Sequence, residues 1–357
     1  MRSLEPAMSR RVATLTVALV TLVAATSLVF ILPVPYSTMK PGPSFDTLGS
    51  LDDQPLLTFG EGVETYPTEG ELAFTTVAVS RAETEINLFS ALQAWVDADV
   101  NLVPHDFLYQ DGETDDDASE VSAAQLSSSQ DSSRAAALRA MDIEVPETVQ
   151  IADVVEGSPA EGVLEAGDRI VRVEDTEVQS NQQVAEVISA LEPGDQVSLG
   201  IEREGRPEDV TVETKAADDD PDRAMIGITV GAGFDFPIEI ENHIGDRVGG
   251  PSAGMMFALA IYDKLTPGSL TGGRSVAGTG TITPDGDVGS IGGVQQKMVG
   301  AEEGGATIFL VPTGNCAEAA AKDTDMTLVD VATLDDAIEA LQALADDPEA
   351  TVPTCSK

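Results

Sequence analysis

The chain is short of several things, and each shortage excludes a class of protein. Two cysteines and two histidines in 357 residues are too few for most metal sites, and no His-Glu-x-x-His run occurs, so no metal is expected. No Gly-x-x-x-x-Gly-Lys-Ser/Thr loop is present to cradle phosphates; neither ATP handling within this chain nor any other cofactor is expected. Basic residues number 19 against 62 acidic ones, a formal charge of −43. A polyanion of this kind repels the phosphate backbone, which excludes nucleic acid as a partner. Aromatic residues make up only 4%, with one tryptophan, Trp95. Glycine, by contrast, is plentiful, and 42% of residues are hydrophobic, so cores of small residues joined by many turns are expected rather than disorder. The length allows two or more such cores.

One long apolar run is present. Arg2, Arg10 and Arg11 precede an uncharged stretch from Val12 to Leu32. At about 1.5 Å rise per residue it measures about 31 Å, enough for a hydrocarbon core of roughly 30 Å. The basic flank places residues 1–11 in the cytoplasm, makes 12–32 a transmembrane anchor and puts the remainder outside the cell membrane. A cleaved signal peptide is the rival reading, but its apolar core is usually about 7–15 residues, and no Ala-x-Ala site precedes Pro33.

Residues 33–141 open with Pro33, Pro35, Pro41 and Pro43, a stiff extended exit. Leu72–Val79 reads as a buried β-branched strand, and Leu88–Val96 as a short amphipathic helix whose Trp95 is expected in the core. Asp111–Asp117 reads as a solvated acidic loop and Ser119–Met141 as a helix with one weak apolar face. From 142 to 215 the pattern changes. A strand, Val149–Val155, precedes Gly157-Ser158-Pro159-Ala160 and then Gly167-Asp168-Arg169-Ile170. A helix, Asn181–Leu191, and a Pro193-Gly194-Asp195 turn lead to the strands Gln196–Arg203 and Glu208–Thr214. An acidic linker, 216–224, carries Asp218 to Asp222. Residues 225–345 resume strand-like sequence at Met225–Val230 and Pro237–Glu241, with a late strand at Thr307–Pro312, a final helix at Leu334–Leu344 and a tail, 346–357. Strand-like sequence on both sides of 142–215 predicts that this segment is inserted into another fold.

The chemistry centres on Gly250-Pro251-Ser252-Ala253-Gly254. A hydroxyl at such a loop-to-helix junction lies beside unpaired backbone N–H groups, which stabilise developing negative charge. Downstream follow Thr279-Gly280-Thr281-Ile282, a Pro284-Asp285-Gly286 turn, Ile291-Gly292-Gly293 and Lys297. Taken singly, Ser252 is an N-cap and Lys297 a solvated side chain. Together and in this order, these segments resemble the proteolytic domain of Lon proteases over about Met225 to Leu344.

That resemblance implies an α+β fold with Ser252 as nucleophile, Lys297 as general base and Thr279 as support for the lysine. Gly250, Pro251 and Ala253 would shape the oxyanion site. The sequence departs from the family at Thr281, where many members have Glu, and at Gly249, where an acidic residue is common. Residues 142–215 resemble a bacterial PDZ domain through Gly-Ser-Pro-Ala and Gly-Asp-x-Ile. The PDZ domain would bind an extended peptide between Val149–Val155 and Asn181–Leu191, touching Val149, Ile151, Val184 and Ile188. The Gly-Leu-Gly-Phe loop of many PDZ domains is absent. Anchor, PDZ and Lon-type segments together resemble the YlbL-like PDZ–Lon peptidases. The implied activity is ATP-independent cleavage of membrane-associated or exported polypeptides, and the implied assembly a homo-oligomeric ring.

Two other classes are open to the sequence: an adaptor that presents partners without catalysis, and a Ser–His–Asp hydrolase using His243 or His105, although no Gly-x-Ser-x-Gly elbow is present. A general-base lysine needs a pKa of about 7–8 rather than the usual ~10.4, so Lys297 is expected to be buried, near Ile291, Val294 and Met298. Cys316 and Cys355 are expected to form a disulfide in an oxidising compartment.

Overall fold

A computed structural model of the protein describes residues 10–51, 53–203, 205–217, 219–245 and 248–356. Arg2 of the basic flank and Asp218 of the acidic linker lie outside the described residues. Among those described, the helices are α1 (Arg10–Ile31), α2 (Leu88–Val96), α3 (His105–Leu108), α4 (Asp115–Arg139), α5 (Asn181–Ser189), α6 (Gly254–Leu265), α7 (Val294–Glu303), α8 (Cys316–Ala320) and α9 (Leu334–Asp346). The chain divides into two compact units, one from Met1–Ala140 with Ile240–Lys357 and the other Met141–Glu239.

The first unit is built on a six-stranded sheet in the order Thr327–Val331, Ile308–Pro312, Ser275–Gly278, Glu71–Val79, Tyr36–Asp46, Asn101–Pro104. The first four strands run parallel, and Tyr36–Asp46 pairs antiparallel with Glu71–Val79 on one side and Asn101–Pro104 on the other. Every residue of Ile308–Pro312 is buried, as expected of a central parallel strand covered on both faces. Helix α6 packs on α4 and on Glu71–Val79, and α7 packs on Tyr36–Asp46 and Glu71–Val79. The run Gly254–Ile261 of α6 is wholly buried, so its apolar residues are not confined to one stripe. Phe74, fully buried, stacks on Phe45 and tilts against Phe257 of α6, each at 5.3 Å between ring centroids. The C-terminal segment lies along the outer strand, with Asp330 N donating to Pro353 O at 3.0 Å and Cys355 N to Leu328 O at 3.1 Å. There Cys355 is joined to Cys316 by a disulfide.

Two expectations about this unit are corrected. Trp95 is not in the core: it is 77% exposed. Ala91 and Ala94 bury the inner side of α2, and the large side chains point away. Asp115, Asp116 and Asp117 are not loop residues but the first turn of α4, closed by a Thr114–Asp117 capping box. Three carboxylates at that end complement the helix dipole, which stabilises a helix with little apolar character of its own.

The second unit is a sheet in the order Arg206–Glu213, Gln196–Arg203, Arg169–Val173, Glu147–Val154, Ile228–Phe234, with α5 packed on its core. Val149, Ile151, Ile170, Val184, Ile188 and Leu199 fill that core. Asp168 is almost fully buried and is clamped by Arg203, whose Nε and Nη2 donate at 2.8 and 2.7 Å. Burial alone raises the Asp168 pKa; the guanidinium and the Glu165 N–H outweigh it and hold the carboxyl below its usual range. Sequence pattern alone places 225–239 with the flanking domain. Instead, Ile228–Phe234 pairs antiparallel with Glu147–Val154 along its length and belongs to the inserted unit.

Candidate active site

Ser252 sits just before the start of α6, whose N-cap is Ala253. Its approach is shaped by α4: Gly250 N donates to Ser122 O at 2.9 Å, and Ser129 Oγ to Pro251 O at 3.0 Å. A Cβ at Gly249 would fall 2.1 Å from Ser122 Oγ and 2.9 Å from Ser122 Cβ, so a side chain here would require Ser122 to shift. The glycine thus suits the close approach of α4 to the serine loop.

Lys297 comes from the second turn of α7, which starts after Gly293 in the left-handed conformation (φ 70°). That backbone turn lets the chain leave the Val288–Gly289 strand and enter the helix within a few residues. Lys297 is 2% exposed, and its neighbours on α7, Val294 and Met298, are fully buried. Its Nζ lies 2.7 Å from Ser252 Oγ and 2.9 Å from Thr279 Oγ1. Thr279 Oγ1 in turn donates to Ser252 O at 3.0 Å, and Gly280 N to the same carbonyl at 2.8 Å. Burial disfavours the ammonium, and the lysine pKa is pushed down to about 7.

Ser252, Thr279 and Lys297 are thus gathered in one place by α6, the segment after Ser275–Gly278, and α7. The N–H groups of Ser252 and Ala253 have no hydrogen-bond acceptor among the described residues. A cavity of about 270 Å³ opens over Ser252, lined by Phe45, Phe74, Val77, Ala78 and Val248. A broader groove of about 890 Å³ shares Val77, Val248 and Gly249 with it and continues along α4. The serine is reachable while the lysine is not, an arrangement suited to a nucleophile with a dry base behind it. Neither histidine pairs with Ser252. His243 Nε2 is 2.8 Å from Thr58 Oγ1, and His105 Nδ1 is 3.0 Å from Ser37 Oγ.

The peptide groove expected in the inserted unit is not where the sequence placed it. Val149, Ile151, Val184 and Ile188 are core side chains. Glu147–Val154 is an interior strand, hydrogen-bonded on one edge to Arg169–Val173 and on the other to Ile228–Phe234, so it has no edge to offer. Among the described residues, Ile228–Phe234 is the outer strand beside α5, where Asn181 Nδ2 donates to Val230 O at 3.1 Å. The strand-like run Met225–Val230 is legible in the sequence, and only the pairing of Ile228–Phe234 with Glu147–Val154 shows which unit it completes.

Comparison with known proteins agrees with this architecture. Residues 245–343 match the family model of the Lon protease (S16) C-terminal proteolytic domain, and residues 124–214 that of the PDZ domain, a match that begins within α4. The chain is 43% identical over 63 residues to the Lon protease of Clostridioides difficile (strain 630), covering 18% of this chain and 8% of that protein. It is 41% identical over 81 residues to Lon protease 2 of Herpetosiphon aurantiacus, covering 22% of this chain and 10% of that protein. The chain therefore matches only about a tenth of the length of these relatives. Among solved structures, the PDZ domain of an SdrC-like protein from Listeria monocytogenes is 28% identical, covering 23% of this chain and 86% of that one at a TM-score of 0.22. The chain is thus an α+β protein whose segments match a PDZ domain and a Lon-type proteolytic domain, the first inserted into the unit that carries the second.

Proposed function

We propose that the protein is an ATP-independent serine endopeptidase, held to the cell membrane by α1, that cleaves membrane-associated or exported polypeptides. The observation that carries this reading is the 2.7 Å approach of a buried lysine amine to Ser252 Oγ. With its pKa near 7, a good fraction of Lys297 is neutral at physiological pH. The neutral amine takes the Ser252 proton as Oγ attacks the scissile carbonyl, then returns it to the leaving amine. Thr279 Oγ1 accepts from the amine and holds it against the serine. The Ser252 and Ala253 N–H groups, unpaired at the mouth of α6, donate to the oxyanion, with Gly250 and Pro251 setting the turn that presents them. The apolar cavity at Phe45, Phe74 and Val77 supports recognition of an apolar substrate side chain next to the cleaved bond.

In this reading the PDZ domain recruits substrate by strand addition along Ile228–Gly233, in the outer strand beside α5. Residues 1–11 are cytoplasmic, α1 crosses the membrane, and the two folded units lie outside. The length, apolar composition and lack of buried residues in α1 support the crossing. The disulfide supports an oxidising compartment. Assembly into a homo-oligomeric ring belongs to the same reading, and light scattering tests it.

A fluorophosphonate probe tests the chemistry: it should label the protein at Ser252 and leave Ser252→Ala and Lys297→Arg unlabelled. Labelling that persists in Ser252→Ala would overturn the assignment. Protease added to wall-stripped cells tests the topology, since it should reach residues beyond Tyr36.

A further inference from the structure

We propose that α2 is a second membrane contact, an interfacial foot that lies in the outer boundary of the bilayer and fixes the protease unit against it. The proposal rests on the membrane-spanning reading of α1 and goes beyond it, because α2 is a separate element of the folded unit.

The chain carries 62 acidic residues, yet Ile86–Val96 has no charged residue at all. Helix α2 turns Ala91 and Ala94 inward and leaves Phe89, Leu92, Trp95 and Val96 exposed. Phe89, Leu92 and Val96 fall at helical spacing on one stripe, with Trp95 beside them; Trp95 and Val96 are 77% and 79% exposed. Phe107, on α3 just beyond the strand that α2 packs against, is 78% exposed as well. An apolar face of this kind needs a cover.

The structure names the cover by position. Helix α2 begins where α1 ends: Leu88 N donates to Leu32 O at 3.0 Å, and Pro33–Val34 pairs with Ile86–Asn87. The Phe89 ring lies 4.6 Å from that of Phe30, one residue short of the end of α1. If Phe30 is at the edge of the hydrocarbon, Phe89 is too, and the rest of α2 runs from that point. A tryptophan beside aliphatic residues suits this depth, where the ring is apolar and its N–H reaches the headgroups. Asp97 and Asp99 follow the helix, and Lys322 of the same unit holds Asp99 at 2.9 Å, tying the end of the foot to the protease core.

Trp95 is the one tryptophan in the chain, so its fluorescence reads the foot directly. The full chain is reconstituted into phosphatidylcholine vesicles, with and without lipids brominated high on the acyl chains. Expected are co-flotation with the vesicles, a blue-shifted emission relative to the urea-unfolded chain, and a loss of about twofold with brominated lipid, as for an indole at headgroup depth. Leu92→Glu/Val96→Glu should still float through α1 but lose that quenching; quenching unchanged in this variant would overturn the role of the face. Co-flotation with Trp95 quenched by aqueous iodide but not by brominated lipid would sink the foot and leave the anchor standing. A Trp95 shielded from both quenchers would mean that protein, such as a second copy, covers the face, and would also overturn the proposal. Failure to float would remove anchor and foot together.

Discussion

Lys297 Nζ and Ser252 Oγ stand 2.7 Å apart although 45 residues separate them in the chain. The pair joins the start of one buried helix to the second turn of another. Its chemistry follows from where the lysine is kept: behind the serine, away from water.

The first prediction is the pH dependence of cleavage. Only the neutral amine accepts the serine proton, so the rate should rise through about pH 7 and level off above it. Lys297→Arg keeps the positive charge and stays protonated, so it should lose activity by at least about 10³-fold at every pH. A rate that falls through pH 7 in the wild type would contradict the role of the lysine as base.

The same lysine should cost stability. Its folded pKa of about 7 lies below the ordinary 10.5, so between these values the unfolded chain binds more protons and stability rises with pH. The penalty is complete below pH 7 and gone above about 10.5, on the order of 5 kcal/mol. Lys297→Met should therefore raise the melting temperature at pH 6, and the gain should shrink as the pH is raised towards 10. Calorimetry at several pH values checks both the sign and the window.

Thr279 tests the support of the pair. Thr279→Val keeps the shape but removes the contacts to Lys297 Nζ and to the Ser252 carbonyl. We expect a drop of about 10–100-fold in kcat with little change in KM, and Thr279→Ser should recover most of it. The serine control separates the lost hydroxyl from a packing effect.

Gly249 tests the steric account of the serine loop. Gly249→Ala places a methyl 2.1 Å from Ser122 Oγ and 2.9 Å from its Cβ, so Ser122 must shift against the serine loop. Activity should fall, and Ser122→Gly in the same chain should restore it in part. A fully active Gly249→Ala single variant would contradict the account.

The buried clamp in the PDZ domain gives a prediction independent of catalysis. Arg203→Met leaves Asp168 buried without its partner, at a cost on the order of 3 kcal/mol. Hydrogen exchange should quicken across 141–239, and part of the loss should be relieved by adding Asp168→Asn. In the wild type the contribution of the depressed carboxyl is present above the ordinary carboxylate range and is lost as the pH falls through its lowered value.

Much of this protein is written locally. The apolar run that becomes α1, the strands Leu72–Val79 and Thr307–Pro312, and the order of Ser252, Thr279 and Lys297 are properties of neighbouring residues, and periodicity and motif spacing expose them. The expectation of a buried lysine is also legible, because burial lowers the pKa of an amine towards neutrality. What the chain could not declare is which distant segment completes each surface. Ile228–Phe234 alternates like any strand, and only its pairing with Glu147–Val154 assigns it to the PDZ domain and makes it, rather than the strand first expected to bind peptide, the outer strand. Trp95 carries a core-like side chain, and its outward direction depends on Ala91 and Ala94 being the residues that α2 turns inward. The absence of a side chain at Gly249 acquires its meaning from Ser122, far away on α4. Local pattern sets what each segment is able to form; long-range pairing and packing, which no single segment encodes, decide which faces are buried and which remain to act.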